Sequence, residues 1–238
     1  MKRLASILAL AVVPISGGGA QVGYEPARSP YRDLERSHEL TYFTGYYRAR
    51  LDPARVAPRS GPMMGVRYQW RAGGPANLMA EVSRVESERR VLDPDLPSGC
   101  TSGPPEDCRL LGMYRWPLYF MDLGLAFNVT GARAFHGLVP EARAGFGFVT
   151  DFHSRSDVGD FQFGAKMVMS LGGAVRWIPT SRYQVRVDFV DRIYTVKYPD
   201  TYRTVAPGSA PIRPANSKPS AWMNNGAFTI GVSYLFGR

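Results

Sequence analysis

Side chains with reactive potential are few in this chain. Three histidines (His38, His136, His153) and two cysteines (Cys100, Cys108) are its whole complement of imidazole and thiol groups. A histidine beside a serine can serve as base to a nucleophile, and His153-Ser154-Arg155-Ser156 is the nearest approach to such a pair. Asp151, Asp157 and Asp160 surround it, which marks a polar loop rather than a buried catalytic pair. Two thiols with no histidine in the same segment supply too few ligands for zinc. Nothing in the pattern asks for a metal or another cofactor. Charge is the richer signal: 29 Lys and Arg against 20 Asp and Glu, a formal net charge of +9. If such residues are turned into a confined space, they form a buried ion-pair network or, with arginine in surplus, a path that favours anions.

The choice between those chemistries depends on the elements that carry the charges. Glycine (25) and proline (19) are abundant, and aromatics make up 12% of the chain. That composition suits short strands and turns and argues against a helical bundle. From about residue 40 onward the apolar residues recur with period two. Met64, Val66, Tyr68, Trp70 and Ala72 alternate with Gly65, Arg67, Gln69 and Arg71; Phe228, Ile230, Val232, Tyr234 and Phe236 alternate with Thr229, Gly231, Ser233 and Leu235. The same reading predicts strands near 39–51, 77–86, 114–127, 136–150, 161–177 and 182–193, eight in all. On the first of these Phe43, Tyr47 and Leu51 are assigned to the apolar face, and on 161–177 that face begins at Phe163.

Connections at 72–76, 128–135 and 178–181 are short, while those at 52–61, 87–112, 151–160 and 194–224 are long. Asn128-Val129-Thr130 has the form of a glycosylation site, but its place in a short connection reads as a turn former. An even number of strands, with turns at one rim and loops at the other, predicts an all-β, eight-stranded, antiparallel up-and-down transmembrane barrel. A soluble barrel with its apolar face turned inward is the alternative. Glycine on the polar faces (Gly65, Gly124, Gly145, Gly147, Gly164, Gly172, Gly231) favours the membrane reading, because a narrow lumen needs small residues. Aromatics on the apolar faces (Tyr47, Trp70, Tyr119, Phe148, Phe161, Trp177, Tyr183, Phe236) suit girdles at two lipid interfaces.

The N-terminus reads as a cleaved signal peptide. Met1-Lys2-Arg3 is basic, Leu4 to Val13 is apolar, and Gly18-Gly19-Ala20 supplies small residues for cleavage. Pro14 and Gly17 interrupt the run well short of a membrane span. The expected division is a signal peptide at 1–20, a periplasmic leader at 21–37 and the barrel at 38–238. Export to an oxidising compartment makes a Cys100–Cys108 disulfide the default, adding about 2.5 kcal/mol by the loop-entropy relation.

The ending Thr229-Ile230-Gly231-Val232-Ser233-Tyr234-Leu235-Phe236 resembles the closing strand of bacterial outer-membrane proteins, although Gly237 and Arg238 follow the terminal aromatic. Gly145-Phe146-Gly147-Phe148 and Gly173-Ala174-Val175-Arg176-Trp177 are similar to strands of the small OmpA-, OmpX- or OmpW-like barrels. The resemblance implies an outer-membrane location, with Gly231, Tyr234 and Phe236 as the insertion signal read by the assembly machinery. Both termini would lie in the periplasm. Some barrels of this size are lipid A deacylases with His-x-Ser-Asn on a strand; His153-Ser154-Arg155-Ser156 lacks that spacing and the asparagine, so an enzyme is not expected.

With that topology the residues facing the lumen are Arg48, Arg50, Arg67, Arg71, Glu81, Asp122, Glu141, Arg143, Lys166, Arg176, Arg186 and Asp188. Eight positive and four negative groups suit a largely closed, salt-bridged plug with a structural or surface-interaction role; the surplus of arginine leaves a narrow anion-preferring channel as the alternative. The basic residues lie along strand faces rather than in a patch with exposed aromatics, which argues against nucleic acid. Outer-membrane lipid and anionic lipopolysaccharide are the expected partners, together with any ligand of the long loops.

Overall fold

The computed structural model describes residues 29–96, 109–204 and 211–237. The expected signal segment 1–20, most of the leader, and Cys100 and Cys108 lie outside the described residues.

The strands, in chain order, are β1 (Tyr31–Asp33), β2 (His38–Arg48), β3 (Gly61–Gly73), β4 (Ala76–Val85), β5 (Glu88–Leu92), β6 (Leu110–Arg115), β7 (Leu118–Asn128), β8 (Arg133–Phe135), β9 (Leu138–Thr150), β10 (Lys166–Trp177), β11 (Tyr183–Lys197) and β12 (Ser220–Phe236). Eight of them pair antiparallel in the ring β2-β3-β4-β7-β9-β10-β11-β12. The last strand closes on the first, from Phe236 opposite His38 to Gly226 opposite Arg48. No sheet edge is left open in this ring, which is what allows a sheet to cross lipid. The eight strands run from 10 to 17 residues, enough for a tilted crossing.

Side-chain polarity is inverted relative to a water-soluble barrel. Along β3, Met64, Val66, Tyr68 and Trp70 are exposed while Arg67 and Gln69 are buried; along β12, Phe228, Ile230 and Val232 are exposed while Asn225, Thr229 and Ser233 are buried. An apolar outer band over a charged interior is stable only where the outer medium is hydrocarbon. The soluble alternative fails on this point.

One rim, the turn end, carries the short connections. Gly74-Pro75 joins β3 to β4, and β1 pairs with β8 there, Tyr31 opposite Phe135. Thus residues 31–33, within the expected leader at 21–37, form a strand paired to the barrel. The other rim, the loop end, carries the β5–β6 hairpin and the three other long connections. Glycines let the wall curve tightly: a Cβ on Gly45 would lie 2.0 Å from the Phe228 carbonyl oxygen, and one on Gly147 1.9 Å from that of Met121. At these two places close backbone approach, as well as lumen width, requires glycine.

Two face assignments need correction. Tyr47 and Phe161, expected in the aromatic girdles, are fully buried inside the loop end, and Phe43 and Phe163 join them there. On β2 the apolar outward face is Leu40, Tyr42 and Tyr46; aromatic residues occupy both faces, so alternation alone does not say which is which. The stretch 161–165 is not strand at all. Gly164 takes a positive φ of +60°, which breaks the extended run and turns Phe161 and Phe163 inward.

Candidate functional site: the ion-paired lumen

The barrel interior has two storeys. Toward the loop end it is apolar, with Phe43, Tyr47, Phe120, Phe163, Val168 and Tyr194 among a single cluster of buried residues. The Tyr47 and Tyr194 hydroxyls share a hydrogen bond of 3.0 Å, so the phenols are satisfied without water. The long connections cover this storey and hold one another. Tyr198 donates to Asp52 at 2.9 Å, Arg89 forms a two-point ion pair with Asp157, and Thr201 donates to the Gly159 carbonyl at 2.7 Å. Burial pushes the Tyr198 and Tyr202 phenols above the ordinary tyrosine value, and for Tyr198 the Asp52 carboxylate adds to that.

Below lies the charged storey, where seven strands place ten ionic groups on their inward positions. Arg186 is its hub: it donates to Glu39 at 2.8 Å, to Glu141 at 2.9 Å and to both oxygens of Asp188 at 2.9 and 3.0 Å, and also contacts Gln69. Arg67 bridges Glu81 (2.7 Å) and Asp188 (2.8 Å); Arg143 bridges the same two acids at 2.9 and 3.2 Å. Arg176 reaches Glu39 at 3.0 Å and Glu141 at 3.5 Å, and donates to Asn128 at 2.6 Å. Arg192 pairs with Glu81 (2.5 Å) and Asp122 (3.3 Å), with its guanidinium 4.3 Å from the Phe120 ring centroid. That last contact joins the two storeys.

Five arginines thus face five carboxylates. Their side chains are between 0 and 6% exposed, so the network is almost wholly withdrawn from water. Each multidentate arginine satisfies oxygens that would otherwise be costly to desolvate.

Of the residues expected in the lumen, Arg67, Glu81, Asp122, Glu141, Arg143, Arg176, Arg186 and Asp188 meet in this network. Arg71 sits half-buried at the turn-end mouth, donating to the Leu34 carbonyl. Lys166 is half-buried at the loop end, 5.3 Å from the Phe163 ring. Arg48 and Arg50 are exposed, which corrects their assignment to the lumen: on β2 the inward positions are the odd ones up to Tyr47, and Arg50 lies past the strand end. Two network members lie outside the expected set: Glu39, one residue inside the start of β2, where aromatics occupy both faces, and Arg192, which follows Asp191 on β11 so that charges stand on both faces. Asn128 was also missed: it is a buried network member rather than a turn former. The expected surplus of positive charge therefore disappears.

Gly231 faces inward on β12, while Tyr234 and Phe236 face outward at the turn end. Phe236 stacks on His38 (5.3 Å), whose Nδ1 lies 2.6 Å from the Tyr68 hydroxyl. His153 lies against Trp116, 4.7 Å between ring centroids, and His136 against Phe135. Among the described residues no group of three or more histidines and acids is arranged to hold a metal ion.

No family model matches the chain, and no curated protein matches its sequence. Among solved structures the chain is similar to Neisserial surface protein A, at 11% identity over 84% of this chain and 97% of that one, with a TM-score of 0.47. It is similar to outer membrane protein W of E. coli at 12% identity, covering 85% of this chain and all of that one, TM-score 0.47. The outer membrane protein OprG of Pseudomonas aeruginosa gives 10% identity, 85% and 98% coverage, and a TM-score of 0.43.

Proposed function

We propose that this protein is a non-enzymatic barrel of the bacterial outer membrane, with a closed lumen and a structural or surface-interaction role served by its loop end. The observation that carries the reading is the ten-member network, five charges of each sign almost fully buried across the lumen. A conducting path needs hydrated space along its length. Here ion pairs fill the middle and an aromatic storey covers them, and the arginine excess on which anion preference would depend is absent from the network: Arg48 and Arg50 are exposed, Arg71 and Lys166 stand at its two ends, and Glu39 offsets Arg192.

The basic N-terminal segment followed by an apolar run supports export, and the closing strand with Phe236 at its end supports recognition by the outer-membrane assembly machinery. Arg48, Arg50 and Lys197 are exposed at the loop end of the wall, where they would meet the phosphates of lipopolysaccharide. Phe236→Ala is expected to lower the amount of heat-modifiable barrel in outer-membrane fractions, and unchanged assembly would remove that residue from the insertion signal.

The deciding experiment is conductance of the folded protein in a planar lipid bilayer under a salt gradient. Silence from protein shown to be inserted is the expected result. Discrete, anion-selective steps would overturn the closed lumen and put a channel in its place.

A further inference from the structure

The turn-end mouth holds a cavity of about 490 Å³, within the usual range of small-molecule sites. Its floor is the lower face of the ionic network, through Glu39, Gln69 and Arg176. Its roof is the strap of residues 34–37 between β1 and β2. The strap is fixed in place: Leu34 N–H donates to the Ala132 carbonyl at 2.9 Å, and the Arg71 backbone N–H donates to the Ser37 carbonyl at 2.8 Å.

The charge balance here is unlike that of the lumen above. Arg71 and Arg36 line the cavity, and among the described residues neither has a carboxylate partner. Arg71 spends one Nη on the Leu34 carbonyl, leaving the other end of its fork without a protein acceptor, and its electrostatic neighbour is a second guanidinium, Arg176. The acids in the wall are largely taken: Glu39 by Arg186 and Arg176, Asp33 by Arg133 at 3.0 Å, which leaves Glu35. A half-buried guanidinium with an unused fork end and no carboxylate of its own is electrostatically unfavourable, all the more beside Arg176, whose charge is already paired with Glu39 and Glu141. An incoming oxyanion relieves that while accepting forked hydrogen bonds. Leu34, Ile178, Pro179 and Leu235 supply apolar wall beside the cations.

We infer that the turn-end cavity is a binding site for a small organic oxyanion, a carboxylate or phosphate ester on a compact apolar body, held by Arg71 and Arg36. The same chemistry is offered by a free solute and by the headgroup of an anionic lipid in the adjacent leaflet.

The test uses the refolded mature protein in zwitterionic-lipid nanodiscs and phosphate-free buffer, titrated calorimetrically with phenyl phosphate, benzoate and the neutral benzyl alcohol. Saturable binding of the two anions is expected, weakening as salt is raised, with no binding of the alcohol. Affinity should fall at least tenfold in Arg71→Gln and in Arg36→Gln; the second change lies in the strap, outside the barrel wall, and so tests the site even if the first disturbs folding. Arg84→Gln, on the outer face near the loop end, should bind as the parent does. Nanodiscs carrying phosphatidylglycerol separate the two sources: loss of phenyl phosphate binding there assigns the cavity to a lipid headgroup, and unchanged binding assigns it to a free solute. No saturable binding, equal binding of benzyl alcohol, or indifference to both glutamine substitutions would overturn the site.

Discussion

The two storeys of the lumen exclude water by opposite means. Near the loop end the interior is filled by aromatic and aliphatic side chains, and stability there comes from apolar area and close contact. In the middle it is filled by arginines and carboxylates whose desolvation is offset because nearly all find several partners; Asp122, held by Arg192 alone, is the exception. The difference is one of tolerance. An apolar filling loses stability in proportion to what is removed, whereas an ionic filling fails wherever a single charge is left alone.

The sharpest way to break the ionic storey is Arg186→Leu, which strips partners from Glu39, Glu141 and Asp188 together. A loss of at least about 3–5 kcal/mol is expected, read as a fall in the urea midpoint of the lipid-inserted barrel. A loss under about 1 kcal/mol would mean that the network is not a cooperative unit.

Val232→Arg sharpens the same contrast from outside, by placing on the lipid face the residue type that the lumen accommodates. Near midplane it should cost about 2–4 kcal/mol. Its neighbour Ser233 faces inward, beside Glu39 at 2.9 Å, so Ser233→Arg should not show the depth dependence of the lipid face. Equal tolerance of arginine at both positions in the unfolding assay would contradict the polarity of the wall.

A smaller effect probes the covered storey. Tyr198 and Tyr202 hold their protons above the ordinary tyrosine value in the folded loops, so the unfolded chain loses those protons first as pH rises past about 10. Their contribution is complete below pH 10 and declines above it, by up to about 1.4 kcal/mol per pH unit for each phenol. In Tyr198→Phe the alkaline decline should be shallower, measured as loop protection from protease between pH 9 and pH 11.

The barrel itself was legible in the sequence because period two survives along all eight strands and the long and short connections alternate. The lumen was legible where a strand carries one polar and one apolar face, as with Arg67 on β3 or Arg176 on β10. It was illegible where that contrast weakens. Tyr42, Phe43, Tyr46 and Tyr47 put aromatics on both faces of β2, so Glu39 was overlooked and Arg48 was turned inward. Asp191 and Arg192 put adjacent charges on opposite faces of β11, and only the partners across the barrel, Glu81 and Asp122, reveal which one is inside. The turn-end cavity depends on a strap and two connections meeting in space, a juxtaposition that no local pattern encodes.

The neutrality of the ten-member network has an electrical consequence. A membrane potential does work of about 2.3 kcal/mol on each elementary charge moved through 100 mV. A rigid cluster of five positive and five negative groups that shifts as a body carries no net charge through the field. The network therefore contributes no gating charge, and its ion pairs should be indifferent to the size and the sign of an applied voltage.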